Sequence, residues 1–163
     1  TLGGAAASVG VAERSLEQRA NFAKEEKRRI AEAASTHITA EQTLFLDSGT
    51  SAGALADIIA DQAEALPGLT IVTASLSVAF KLCEVAPIRL ILLGGELRRL
   101  SQGMLGPIAE RALENLTFDI AFLSGDALSP VHGIGETEPS QTRLKELIIR
   151  KSIRTIALGH ADK

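Results

Sequence analysis

Short apolar runs recur along the chain from residue 44 onwards, each bounded by glycine, proline or hydroxyl-bearing residues. Runs of this kind are typical of strands that are buried on both faces of a sheet. We predict five such strands, at residues 44–46, 69–73, 88–93, 119–123 and 154–158.

The segments between these strands repeat their apolar positions at helical spacing. We predict helices at residues 51–65, 75–85, 107–116 and 138–152. Upstream, residues 12–36 carry the same spacing and predict one long helix or two short ones. The remaining stretches predict a hairpin or irregular excursion at residues 96–106 and a long loop at residues 124–137.

Strands that are joined by crossover helices pair in parallel. The predicted fold class is therefore α/β, with a mainly parallel sheet covered by helices on both faces. Ligands of such folds bind outside the carboxyl ends of the strands, where the strand order reverses. The candidate ligand-binding residues at these strand ends are Asp47, Ser48, Gly49, Thr50, Ser51, Thr73, Ser75, Gly94, Gly95, Glu96 and Asp126.

The turn after the first strand is the most informative of these sites. Residues 47–51 read Asp-Ser-Gly-Thr-Ser and lead directly into a predicted helix. The first N–H groups of a helix have no partner within it and lie at the positive end of its dipole, so a phosphate or carboxylate can bind there. Capping of the helix by the same hydroxyl groups is the alternative explanation.

Composition favours a single domain with its own core. The chain has 163 residues, of which 45% are hydrophobic, and this is sufficient for one core without disulfides. It shows neither an apolar window of ~18 residues nor a signal peptide, so we expect a cytoplasmic protein without a membrane partner. The single cysteine, Cys83, is expected to be a small buried residue.

Charge and aromatic content argue against nucleic-acid recognition by this segment itself. The formal net charge is −3, and the chain has five Phe but no Trp or Tyr, which gives little attraction for a polyanion and little surface for base stacking. Residues 24–29 (Lys-Glu-Glu-Lys-Arg-Arg) interleave both signs of charge and indicate a solvated helix face with i,i+4 ion pairs. Residues 1–11 are rich in glycine and alanine and predict a linker.

Several short motifs occur in an order and spacing that resemble one protein family. They are Gly3-Gly4-Ala5, Arg19, Lys27, residues 46–50, Thr73 to Leu76, residues 93–98, Phe118-Asp119, Gly135 with Thr137, and Lys145. Together they resemble the effector-binding domain of the DeoR family of bacterial transcriptional regulators, and the match spans nearly the whole chain.

The resemblance implies a Rossmann-like three-layer α/β fold, similar to that of ribose-5-phosphate isomerase, glucosamine-6-phosphate deaminase and CoA transferases. It implies that residues 12–163 form a sensor domain for a phosphorylated sugar or related metabolite. Residues 1–11 would then be the remnant of a linker that follows a missing winged helix-turn-helix domain. That domain would bind DNA, as part of a homo-oligomeric repressor of sugar-metabolism genes.

The resemblance also assigns two cations to the phosphate, Lys145 and Lys163. Three positions depart from the family pattern: Ala74 replaces a frequent Asn, His160 stands where Asp is expected, and Gln141 replaces a frequent Glu. These changes indicate an effector unlike the commonest sugar phosphates, or weaker binding.

A non-catalytic sensor is the leading functional interpretation, with no catalytic residue, metal or cofactor. His37 and His132 have no partners at metal-ligand spacing. The alternative is a sugar-phosphate isomerase or deaminase with Asp126 or Glu96 as the general base, although residues 124–128 retain only part of the Asp-Gly-Ala-Asp-Glu motif of those enzymes. A dinucleotide oxidoreductase is not favoured, because no predicted strand ends in G-x-G-x-x-G.

Overall fold

The computed structural model describes residues 14–159. Within this range five strands form one parallel sheet: β1 (Thr43–Leu46), β2 (Thr70–Thr73), β3 (Arg89–Leu92), β6 (Phe118–Leu123) and β9 (Ser152–Ala157). Two antiparallel hairpins lie beside it: β4 (Glu96–Arg98) with β5 (Gly103–Leu105), and β7 (Ala127–Ser129) with β8 (Gly133–Gly135).

Six α-helices accompany these strands in the described range. They are α1 (Leu16–Asn21), α2 (Lys24–Ser35), α3 (Thr50–Gln62), α4 (Leu76–Leu82), α5 (Pro107–Ala112) and α6 (Pro139–Arg150). Single 3₁₀ turns extend α3 over Ala63–Ala65 and α5 over Leu113–Asn115. Pro107 and Pro139 stand at the starts of their helices, where the missing N–H leaves no hydrogen bond unmade.

Alternating side chains of the strands build two cores, one on each face of the sheet. In β1, Leu44 and Leu46 pack against α2, α3 and α4, whereas Phe45 points to the opposite face and packs with α5 and α6. The Phe45 and Phe118 rings lie 5.4 Å apart on that second face. The predicted three-layer α/β class is confirmed.

The strand order β3-β2-β1-β6-β9 places the switch point between β1 and β6. From β1 the chain crosses outwards to β2 and β3, and it later returns to the other side of β1 as β6. The connections therefore leave in opposite directions at the carboxyl ends of β1 and β6, which opens a crevice there.

The predicted helices and strands all occur, with local corrections. Residues 12–36 contain two short helices, separated at Ala23, whose backbone is left-handed with φ 51°. Residues 96–106 form the predicted hairpin. Residues 124–137 were expected to be a loop, but they contain the β7–β8 hairpin, whose strands of three residues are too short to show an alternating pattern.

Two expectations about individual side chains were wrong. Cys83 is exposed at the end of α4. Lys27 is not on a solvated face but is 5% exposed, and its ammonium donates to the Arg19 carbonyl and, at 2.6 Å, to the Phe22 carbonyl at the end of α1. The pattern of charges along the chain does not reveal that Lys27 is buried, because the carbonyl groups to which it donates belong to the backbone at the end of α1.

The predicted surface ion pairs of α2 are confirmed by Arg28, whose guanidinium contacts Glu25 at 2.6 Å and also Glu32. The hydrogen bond from Arg28 lowers the pKa of the Glu25 carboxyl. None of the described helices is long and apolar enough to cross a bilayer. The predicted linker at residues 1–11, as well as His160 and Lys163, lies outside the described residues.

Truncation of Ile59 tests the packing of α3 on the sheet. Ile59 is fully buried in the core between α3 and the strands, whereas Ile153 on the edge strand β9 is 82% exposed. We expect Ile59→Ala to lower the free energy of unfolding by about 2–5 kcal/mol, because it leaves a cavity. The matched control Ile153→Ala should cost less than about 1 kcal/mol. Urea denaturation of both variants measures the difference, and equal losses would contradict this packing.

Candidate functional site

The crevice at the switch point is bordered by the loops that follow β1 and β6 and is flanked by the two hairpins. The β4–β5 hairpin is attached beside β2 by hydrogen bonds from Met104 N to Ala74 O (2.7 Å) and from Leu76 N to Gln102 O (2.9 Å). The β7–β8 hairpin follows β6 directly, and a hydrogen bond from Asp126 N to Gly135 O of 3.0 Å closes its base. Both hairpins thus lie at the edge of the sheet where ligands of this fold class bind.

The start of α3 forms one wall of the crevice and has no side-chain cap among the described residues. Its N-cap residue is Gly49, with φ 136°, a conformation that favours glycine. A Cβ at this position would also lie only 2.9 Å from Ser124 Oγ. The alternative that Ser48 or Thr50 simply caps the helix is not what the structure shows, and the first N–H groups of α3 remain without side-chain acceptors in the described part of the chain.

The hydroxyl groups around this helix start differ in their surroundings. Ser48 and Thr50 are half-buried. Ser51 is 1% exposed, and its Oγ has no hydrogen-bond partner among residues 14–159. A buried hydroxyl without a partner carries a free-energy cost, which a ligand oxygen in hydrogen-bonding reach of this turn would relieve.

Asp47 joins the two loops of the crevice. It is 5% exposed, and its Oδ1 accepts a hydrogen bond from Ser48 N at 2.8 Å. Its Oδ2 accepts from the backbone N–H of Ser124, also at 2.8 Å. The carboxylate therefore uses both oxygens to hold the β1 loop against the β6 loop.

Lys145, from α6, is buried beneath the crevice and contacts three oxygens. Its ammonium lies 3.0 Å from Asp47 Oδ2 and also donates to the Ser124 carbonyl and to Glu136 Oε1. The exposed fractions of the side chains are 10% for Lys145, 7% for Asp47 and 3% for Glu136. The cluster of Asp47, Lys145 and Glu136, called here the buried charge cluster, carries two negative charges and one positive charge.

Thr73 and Ser75 have hydrogen bonds that belong to the fold. Both are fully buried. Thr73 Oγ1 donates to Leu46 O at 2.7 Å and accepts from Ser75 N at 3.0 Å. Ser75 Oγ accepts from Val78 N at 3.3 Å and so caps α4. These two residues shape the crevice beside β2.

The remaining candidates lie on the two hairpins. Gly95 has φ 149°, and a Cβ there would meet Leu105 O at 2.6 Å, so it serves the turn into β4. Gly94 precedes it, and Glu96 is exposed at the start of β4. Asp126 is exposed, and its Oδ2 accepts from Thr137 Oγ1 at 3.0 Å and from Thr137 N at 3.3 Å.

Two buried residues near Lys145 were not among the predicted site residues. Glu136 stands in the segment between β8 and α6, nine positions before its partner, and no periodicity marks such a position. Gln141 lies one turn before Lys145 on the same helix face; it is 8% exposed, and its Oε1 has no hydrogen-bond partner in the described residues. Gln141 was marked in the sequence as a departure from the family pattern, whereas Glu136 precedes the last predicted helix and had no sequence signal.

A second concave surface also includes residues at the start of α3. It is a cavity of about 850 Å³ between α1, α2, α3 and α4, and its lining includes Gly49, Thr50 and Lys81. Lys81 contacts Asp57 there at 2.6 Å. Residues 14–159 contain no cluster of His, Cys, Asp and Glu that could hold a metal ion.

Most of the chain is similar in sequence to known transcriptional regulators. The glycerol-3-phosphate regulon repressor of Escherichia coli strain K12 is 32% identical over 128 residues, which are 78% of this chain and 49% of the repressor. The HTH-type transcriptional regulator GlpR of Haloferax volcanii is 31% identical over 139 residues, covering 85% of this chain and 52% of that protein. The chain thus spans about half the length of these relatives.

The fold itself is shared with enzymes. Ribose 5-phosphate isomerase from Plasmodium falciparum superposes with a TM-score of 0.59 at 12% identity, over 86% of this chain and 52% of that one. Similarity at this level shows the architecture alone.

The family model that matches residues 23–163 is described as the DeoR C terminal sensor domain. On this match and on the related regulators, the chain belongs to the family of DeoR C-terminal sensor domains.

Proposed function

We propose that this domain senses a phosphorylated sugar or polyol and that the phosphate binds at the start of α3. The uncapped first turn of α3 at the switch point carries this proposal, since unpaired N–H groups and the helix dipole together favour an anion. One relative is named for the glycerol-3-phosphate regulon, which supports an effector of this class.

The predicted site residues then divide into two roles. Ser48, Gly49, Thr50 and Ser51 would contact the phosphate, and Lys163 remains a proposed second source of positive charge. Lys145, by contrast, is already engaged with three oxygens. We assign it, together with Asp47, to holding the loops in place.

The other candidates border the remainder of the effector in this proposal. Thr73, Ser75 and Gly95 shape the crevice through the contacts described above, and Gly94 directly precedes Gly95. Glu96 and Asp126 are exposed carboxylates that can accept hydrogen bonds from hydroxyl groups.

The proposed role is regulatory rather than catalytic. A general base must reach the proton that it removes. The carboxylates of Asp47 and Glu136 are engaged with Lys145, which leaves the exposed Asp126 and Glu96 as the carboxylates that an isomerase or deaminase would need. The domain, residues 12–163, would follow a linker at residues 1–11 and a DNA-binding domain. Effector binding would shift the conformation or assembly of a cytoplasmic homo-oligomeric repressor, which requires different affinities for two states.

Substitution of Thr50 tests the phosphate site. Saturating glycerol 3-phosphate is expected to raise the melting temperature of the full chain, and unphosphorylated glycerol at the same concentration is not. Thr50→Val should weaken binding of glycerol 3-phosphate about ten-fold, because one hydrogen bond to a charged group is lost. The control Thr36→Val removes an exposed hydroxyl at the end of α2 and should bind like the wild type. Unchanged affinity in Thr50→Val would contradict the assignment.

Substitution of Lys145 tests its structural role. Lys145→Met leaves Asp47 and Glu136 buried without their cation, so we expect a loss of about 3–5 kcal/mol in unfolding free energy. Lys24→Met at the exposed start of α2 is the control and should change stability by less than about 0.5 kcal/mol. Denaturant titration provides both values. A stable Lys145→Met protein that no longer binds phosphate would instead make Lys145 a ligand-binding residue.

Recovery of the ligand separates a sensor from an enzyme. The wild type is incubated with ribose 5-phosphate and, separately, with glucosamine 6-phosphate, and both are followed by NMR. We expect both compounds to be recovered unchanged, because the buried carboxylates of Asp47 and Glu136 are engaged with Lys145, and Asp126 and Glu96 are exposed to water rather than enclosed around the ligand. Turnover of either compound above the protein-free control would support the isomerase or deaminase alternative.

A further inference from the structure

We propose that the crevice selects phosphate monoesters whose carbon skeleton is hydroxylated and uncharged, and that Glu136 is a residue that sets this selectivity. The inference rests on the proposed phosphate site at α3. It extends that proposal from the phosphate to the remainder of the effector molecule.

The buried charge cluster gives this side of the crevice an excess negative charge. Two carboxylates, Asp47 and Glu136, share the ammonium of Lys145, and all three side chains are at least nine-tenths buried. Buried charges are screened by solvent and salt far less than surface charges. The net negative charge therefore acts on a ligand in the adjacent crevice without direct contact.

The neighbouring described charges do not offset this excess, and Lys163, the proposed second source of positive charge, is assigned to the phosphate itself. Asp126, on the loop after β6, adds a further carboxylate. Arg98 of β4 contacts Glu138, the N-cap residue of α6, at 2.9 Å, so these two charges balance each other. Around the cluster, the described groups leave a negative balance.

The two halves of the crevice consequently favour different chemistry. The start of α3 presents backbone N–H groups and the positive end of a helix dipole, which attract the phosphate. Beyond the switch point, a hydroxyl group of the ligand can donate a hydrogen bond to the exposed carboxylate of Asp126, whereas a ligand carboxylate cannot donate and is repelled by the net negative charge. Glu136 sets the net charge of the buried charge cluster, because without it the charges of Asp47 and Lys145 would cancel.

The test compares two matched ligand pairs by titration calorimetry on the full chain. Glycerol 3-phosphate and 3-phosphoglycerate differ only in a hydroxymethyl group that becomes a carboxylate, and sorbitol 6-phosphate and 6-phosphogluconate differ in the same way. Within the pair that fits the crevice better, we expect the wild type to bind the ester without a carboxylate at least about ten-fold more tightly than the ester with one. Inorganic phosphate is titrated alongside as the probe of the α3 site alone.

Three variants assign the preference to Glu136. Glu136→Gln removes one charge of the cluster and should reduce the preference about five-fold. Glu136→Asp retains the charge and should retain the preference. Glu146→Gln removes the same charge from the exposed face of α6, next to Lys145 in sequence, and should also leave the preference unchanged. Thermal melting of each variant without ligand verifies that it is folded.

Two outcomes would overturn the inference. One is equal affinity of the wild type for the neutral and acidic members of both pairs while inorganic phosphate still binds, a result that needs no variant to fold. The other is an equal change of preference in Glu136→Gln and Glu146→Gln. If inorganic phosphate and all four esters fail to bind, the phosphate site at α3 is itself wrong, and the inference falls with it.

Discussion

One buried ammonium, that of Lys145, joins the three segments from which the crevice is built. It contacts Asp47 after β1, the Ser124 carbonyl after β6 and Glu136 ahead of α6. Removal of a charge from water is costly, so such a cation is tolerated only where several oxygens surround it. Because Asp47 also accepts hydrogen bonds from Ser48 N and Ser124 N, the conformation of the turn into α3 depends on the same interaction.

This arrangement gives the buried carboxylates of the crevice a structural role. The crevice retains a helix start suited to an anion, yet the buried carboxylates are engaged with a lysine and serve to position backbone. The first described helix, α1, contacts the turn between β4 and β5. The Arg19 guanidinium donates a hydrogen bond of 3.0 Å to the Leu100 carbonyl in that turn. The helix nearest to the N-terminal segment thus contacts a hairpin that flanks the crevice.

The fold was predictable because its determinants are local and repeated. Two kinds of pattern predicted the alternation of strands and helices: apolar runs, as at residues 69–73, and apolar positions at helical spacing, as at residues 51–65. Both indicate buried positions over several consecutive residues. The resemblance to the DeoR family extended this to the three-layer architecture, which the structure confirms. Single residues were harder, as the exposed Cys83 and the buried Lys27 show, because the environment of one side chain depends on which distant element packs over it.

The sequence by itself determined the helices and strands, their order and the turn at residues 47–51. Each of these features depends on residues that are close together in the chain. The tertiary structure alone decided which charges meet there. Lys145 was predicted to face a phosphate, but the fold brings it to Asp47, almost a hundred positions earlier in the chain, and to Glu136, which no pattern marks. The physical reason is that a buried ion pair depends on distance and desolvation in three dimensions, and neither quantity is encoded by the spacing of residues along the chain.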